Sequence, residues 1–130
     1  MNEDRKTAAI KLKLEKALSF LNEVPMLIQY KYHGTAINRM YYSCFSATKA
    51  LLITKDAFPK THNGVLKLLY DLFVKTEKLD KPAADFYSRL LQQRIEYDYE
   101  DELVLEREDI EELYESTKKY IGQIEALINK

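Results

Sequence analysis

The sequence predicts an all-α fold, an antiparallel up-and-down bundle of four to five helices built as a single domain over residues 1–130. Three observations predict it. Apolar residues recur at steps of three and four, the period of an amphipathic helix. Three glycines and three prolines leave few positions for the tight turns of a many-stranded sheet. Hydrophobic residues make up 46% of the chain, enough at this length for one packed core and not for two.

The first helix is expected from about Arg5 to Val24, with Ile10, Leu14, Ala17, Leu18 and Leu21 on its buried face and Pro25 as its end. A linker carrying Tyr30 and Tyr32 reaches Gly34, and Thr35 is the expected N-cap of a second helix running to about Lys55. The stripe of that helix (Ile37, Met40, Tyr41, Cys44, Thr48, Leu51, Leu52) is broad enough for the centre of a bundle. Pro59 marks the next break, and Val65, Leu68, Leu69, Leu72 and Phe73 belong to a third helix. Asp80 as N-cap and Pro82 in the first turn open a fourth helix through about Tyr97. The acids from Glu106 to Asp109 suit the positive end of a last helix, whose stripe is Ile110, Leu113, Thr117, Ile121, Ile124 and Ile128.

Composition narrows the function. Lys+Arg total 20 against 21 Asp+Glu, so the basic excess of a duplex-gripping protein is missing and any RNA contact must come from a local patch. Cys44 is the lone cysteine, which excludes an internal disulfide and fits a reducing cytoplasm, the expected location. The charged start Met1-Asn2-Glu3-Asp4-Arg5 is unlike a secretory signal, and the apolar runs fall short of the roughly 18 residues that cross a bilayer. No membrane association and no cofactor are expected. Two histidines in unrelated contexts and one cysteine disfavour a zinc site. The acidic run Glu96, Asp98, Glu100, Asp101, Glu102 lacks the glycine and spacing of a calcium loop and reads as a solvated turn.

Two places depart from a plain bundle. In the fourth helix the inward spacing Ala83, Tyr87, Leu90 continues onto Arg94 and Asp98. A guanidinium there needs a partner or a cavity, and Asp98 one turn on is a natural one. The pair is either a structural clamp or a phosphate-binding arginine held by an acid. In the second helix Arg39, Ser43, Ser46 and Ala50 fall opposite the apolar stripe, with Asn38 and Tyr42 at its boundary. Small residues on an exposed face suit either self-association or plain solvation. His62, where a turn meets a helix start, is expected among capping residues.

Three ordered motifs carry a resemblance. Ala36-Ile37-Asn38-Arg39-Met40-Tyr41-Tyr42 with Phe45 and Ala47, then Lys60-Thr61-His62-x-Gly64-Val65, then Arg94-x-x-x-Asp98-Tyr99, together resemble a prokaryotic branch of the HEPN domains. That branch is related to HEPN toxins paired with minimal nucleotidyltransferases. The match spans about Thr35 to Glu102. The resemblance implies a HEPN-like homodimer with a nucleotidyltransferase partner in a toxin–antitoxin-like pair. It also implies a nucleotide- or RNA-phosphate-binding site using Asn38, Arg39, Tyr42 and Arg94, and, in active members, metal-independent RNase chemistry.

That chemistry needs a base near neutral pKa and a cation for the developing phosphorane charge, supplied in the family by histidine and arginine. Here the position five residues after Arg94 is Tyr99 rather than histidine, and a phenol with pKa near 10 is a poor base at pH 7. Little or no cleavage is therefore expected. The candidate catalytic set is Arg94, Asp98 and Tyr99, with His62 as a substitute base if the fold brings it close. Where family members carry a tyrosine that the partner adenylylates, this chain has Asp101. The rival expectations are a weak RNase and a purely structural helical interaction protein.

Overall fold

The computed structural model describes residues 2–99 and 106–130, with the side chains of residues 95–99 outside the description. The chain forms α1 (Glu3–Gln29), α2 (His33–Ile53), α3 (His62–Leu69) continued by a π-helical turn (Tyr70–Val74), α4 (Lys81–Tyr99) and α5 (Arg107–Ile128). No strand occurs among the described residues. No helix among them is long and apolar enough to cross a membrane.

The helix α2 is central and packs on all four other helices. Its expected stripe, from Ile37 through Leu52, is fully buried. The tyrosines are part of this interior. The Tyr41 and Tyr87 rings stack at 5.8 Å, and Tyr87 stacks on Tyr120 at the same distance. Thr48 Oγ1 closes the column, 2.6 Å from the Tyr120 hydroxyl, while also donating to the Cys44 carbonyl at 2.7 Å. The expected α4 cap is present: Asp80 Oδ1 accepts from the Ala83 N–H at 2.9 Å. At α5, Glu106 and Asp109 form a reciprocal capping box.

Several boundaries differ from the sequence reading. Pro25 lies inside α1 instead of ending it. Its missing N–H costs about 3 kcal/mol in a helix interior, but Val24 and Ile28 on either side are buried. Each such side chain gains roughly 1.5–3 kcal/mol on leaving water, so the helix continues. It ends instead at Lys31, whose φ of 64° turns the chain, with Tyr32 N–H returning to the Leu27 carbonyl at 2.8 Å. Consequently α2 begins at His33 without a side-chain cap, and Thr35 is not its N-cap. Leu18 is 41% exposed, and the interior stripe of α1 runs through Ala17, Leu21, Val24 and Ile28.

The small-residue face of α2 is not on the outside. Ser43, Ser46 and Ala50 are buried against α1. Their size lets the two backbones approach closely enough that Ser43 Oγ donates to the Ala17 carbonyl at 2.7 Å and Ser46 Oγ to the Lys13 carbonyl at 2.8 Å. This surface is occupied within the chain and is not available to a second copy.

Candidate functional site

The site forms where α2, the start of α3 and the middle of α4 meet. Thr61 caps α3, its hydroxyl accepting from the Gly64 N–H at 2.9 Å. His62 is thereby released from capping and becomes the first residue of the helix. Its Nδ1 lies 2.5 Å from the hydroxyl of Tyr41, a hydrogen bond whose direction follows the imidazole tautomer. The Phe45 ring stacks on the imidazole at 4.5 Å. From α4, the Arg94 guanidinium carbon sits 5.1 Å from the centre of the Tyr41 ring and 5.7 Å from that of Tyr42. Arg94 is half-buried, as its place on the inward stripe predicts.

Electrostatics gives these groups distinct protonation preferences. Partial burial, then the positive charges of Arg94 and Lys49, hold the His62 pKa below its ordinary 6.5. The imidazole is therefore neutral at pH 7. Burial pushes Tyr41 up to about 12, against the opposing pull of the Tyr87 hydroxyl and then of Arg94, so its phenol keeps its proton. Burial also pushes the Cys44 thiol up, which makes it a core residue and not a nucleophile.

Asn38, Arg39 and Tyr42 lie on the α1-facing side of α2. Asn38 Oδ1 accepts from Arg39 Nη1 at 2.6 Å, and Arg39 Nε pairs with Glu23 at 3.2 Å. These residues border a groove of about 380 Å³ that also takes in Lys13, Lys16, Phe20, Phe45, Ser46 and Lys49. Tyr42 belongs both to this groove and to the Arg94 cluster. Thus the structure brings His62 and Arg94 together on Tyr41, and places Asn38 and Arg39 beyond Tyr42. The side chains of Asp98 and Tyr99, and the whole of Asp101, lie outside the described residues, so the expected Arg94–Asp98 pair does too. Among the described residues no group of three or more His, Cys, Asp or Glu side chains is placed to hold a metal ion.

Tyr41 was expected in the buried stripe and in the second-helix motif without a role of its own, and Lys13, Lys16, Phe20 and Lys49 were not expected at a site. Tyr41 is indeed fully buried, but its hydroxyl reaches the edge of the core. Lys13 and Lys16, three residues apart on one face of α1, were a visible signal.

An all-helical bundle with an arginine and a neutral imidazole framed by aromatic rings is the setting in which the comparison with known proteins falls. The chain belongs to the HEPN domain family, whose model matches residues 10–127. It is 34% identical over 115 residues, 83% of this chain and 78% of the relative, to "Putative toxin MJ0142" of Methanocaldococcus jannaschii. It is 31% identical over 128 residues, 98% of this chain and 96% of the relative, to a UPF0332 protein of Thermotoga maritima. A second Methanocaldococcus jannaschii relative, "Putative toxin MJ0605", is 30% identical over 103 residues, 79% of this chain and 77% of its own.

Proposed function

We propose that this chain is a HEPN toxin-like homodimer that binds nucleotide or RNA phosphate at the Arg94–His62 cluster and acts with a nucleotidyltransferase partner. The observation that carries the reading is the half-buried Arg94 guanidinium held over Tyr41 and Tyr42 beside the imidazole of His62. A cation partly withdrawn from water binds phosphate more strongly than one in bulk solvent, because the local dielectric is lower. The names of the Methanocaldococcus relatives support the toxin-like role. The dimer and the partner come from the family resemblance.

A second reading, metal-independent RNase, is favoured by one specific observation. His62 is brought to Arg94 and is neutral at pH 7, which supplies the base missing from the position of Tyr99. With Nδ1 donating to Tyr41, Nε2 would take the proton of a ribose 2′-hydroxyl as that oxygen attacks phosphorus. The bond to the 5′-oxygen would break, leaving a 2′,3′-cyclic phosphate and a 5′-hydroxyl protonated from solvent, with Arg94 countering the phosphorane charge.

Incubation of the purified chain with single-stranded RNA, without metal, separates the readings. Binding without cleavage, weakened in Arg94→Ala, supports the first. Cyclic phosphate ends that vanish in both Arg94→Ala and His62→Ala establish the second. Absence of any nucleotide or RNA binding by the wild type refutes both. Sedimentation at micromolar concentration is expected to show twice the 15.3 kDa chain mass. Co-purification with mass spectrometry is expected to recover the nucleotidyltransferase.

A further inference from the structure

We infer that the groove between α1 and α2 is the path of a single RNA strand leading to Arg94, with Lys13, Lys16 and Lys49 taking its phosphates and Phe20 and Tyr42 its unstacked bases. The inference rests on the RNA reading of the Arg94–His62 cluster and extends it to a substrate form and a second set of residues.

Charge distribution is the first argument. The chain carries a net charge of −1, yet its clefts are sharply different in sign. Two larger ones, about 740 and 630 Å³, border α5 and are lined by carboxylates including Asp109, Glu112 and Glu108. A phosphate chain is disfavoured there, and a third cleft, about 610 Å³, mixes Lys78, Lys81 and Lys130 with Glu77 and Asp80, Lys81 being paired with Asp85. The α1–α2 groove instead gathers three lysines, and among the described residues none of the three forms an ion pair. Arg39 in the same groove is already matched by Glu23, so the uncompensated charge belongs to the lysines. Lys13 is held below its ordinary pKa by partial burial and then by Lys49 and Lys16. Three like charges thus crowd one place, an arrangement that an incoming anion relieves.

The aromatic residues give the second argument. Single-stranded nucleic acid is bound by basic grooves whose aromatic rings accept unpaired bases. Phe20 and Tyr42 are each partly exposed along the groove. Its volume of about 380 Å³ lies within the range that holds small organic ligands. Paired bases in a duplex have no free ring faces to offer.

Continuity is the third. Tyr42 lines the groove and lies under Arg94 at 5.7 Å. Phe45 lines it and stacks on His62 at 4.5 Å, while Lys49 stands 5.2 Å from the Phe45 ring. A strand seated on the lysines therefore runs over Tyr42 and Phe45 directly to the imidazole and the guanidinium.

Fluorescence anisotropy of the full chain with a 5′-fluorescein eight-nucleotide RNA, titrated between 50 and 200 mM salt, tests this. Each phosphate contact on a single strand contributes about 0.7 to the slope of log affinity against log salt. Lys13→Gln/Lys16→Gln should lower that slope by about 1.4, so across this fourfold salt range the wild type loses about sevenfold more affinity than the variant. The same RNA annealed to its complement should bind more weakly than the single strand. Lys16→Glu, at an exposed position, serves if thermal melting shows the double variant to be unfolded, and it should also weaken binding. An unchanged slope and affinity in folded lysine variants, with binding still lost in Arg94→Ala, overturns the groove alone. Equal affinity for duplex and single strand overturns it as well. Binding lost in the lysine variants but unaffected in Arg94→Ala supports the groove and sinks the Arg94 reading. A wild type that binds no RNA overturns both.

Discussion

Replacing Tyr41 by phenylalanine isolates the contact on which the site turns. The ring is fully buried and stacks on Tyr87 and Phe45, so phenylalanine keeps the packing and removes one oxygen. What disappears is the hydrogen bond to His62 Nδ1. A net intramolecular hydrogen bond contributes about 0.5–1.5 kcal/mol, and an orphaned buried partner adds a desolvation cost. Here the orphan is modest, because His62 is only partly buried and water can reach it. The expected loss is therefore about 1 kcal/mol, a drop of roughly 3–5 °C in Tm for a domain of this size. Circular dichroism melts measure it. Long-range nitrogen–proton spectra of His62 add a readout that packing alone would not move. In the wild type the contact with Tyr41 should bias the neutral imidazole toward one tautomer, and Tyr41→Phe should shift that balance. An unchanged melting temperature together with an unchanged tautomer would refute the claim that Tyr41 orients the imidazole.

The remaining expectations concern the core and pH. Thr48→Val leaves the buried Tyr120 hydroxyl without its 2.6 Å partner and should cost about 1–3 kcal/mol; adding Tyr120→Phe removes the orphan, so denaturant melts should show the double variant recovering part of the loss. The depressed pKa of His62 sets the sign of a pH effect. As pH falls below 6.5 the unfolded chain takes up the proton before the folded one, so stability is full above that value and declines down to the folded pKa. Melts at pH 7.5 and 5.5 should show a drop that is smaller in His62→Gln, and an equal drop in both would count against the burial and charge assigned to this group.

The α2 stripe from Ile37 to Leu52, the Asp80 cap of α4 and the acidic opening of α5 were legible because each is local, depending on period, capping chemistry or the helix dipole. The inward position of Arg94 followed from the same period. Pro25 and the α1–α2 turn were misread for the opposite reason. Burial of Val24 and Ile28 outweighs a propensity rule, and a left-handed Lys31 carries no mark in the sequence. Ser43 and Ser46 look like solvent-facing residues until α1 is laid on them and their hydroxyls find the carbonyls of Ala17 and Lys13.

The site divides in the same way. Sequence alone marked Arg94, His62, Asn38, Arg39 and Tyr42 as residues with chemistry, since their types and motif spacing are one-dimensional facts. Only tertiary structure could decide that His62, 32 positions before Arg94, joins it on Tyr41, and that Lys13, Lys16 and Lys49 from two helices line one groove. Distances between side chains on different helices are set by how those helices pack, and packing is the sum of many weak contacts that no local pattern encodes.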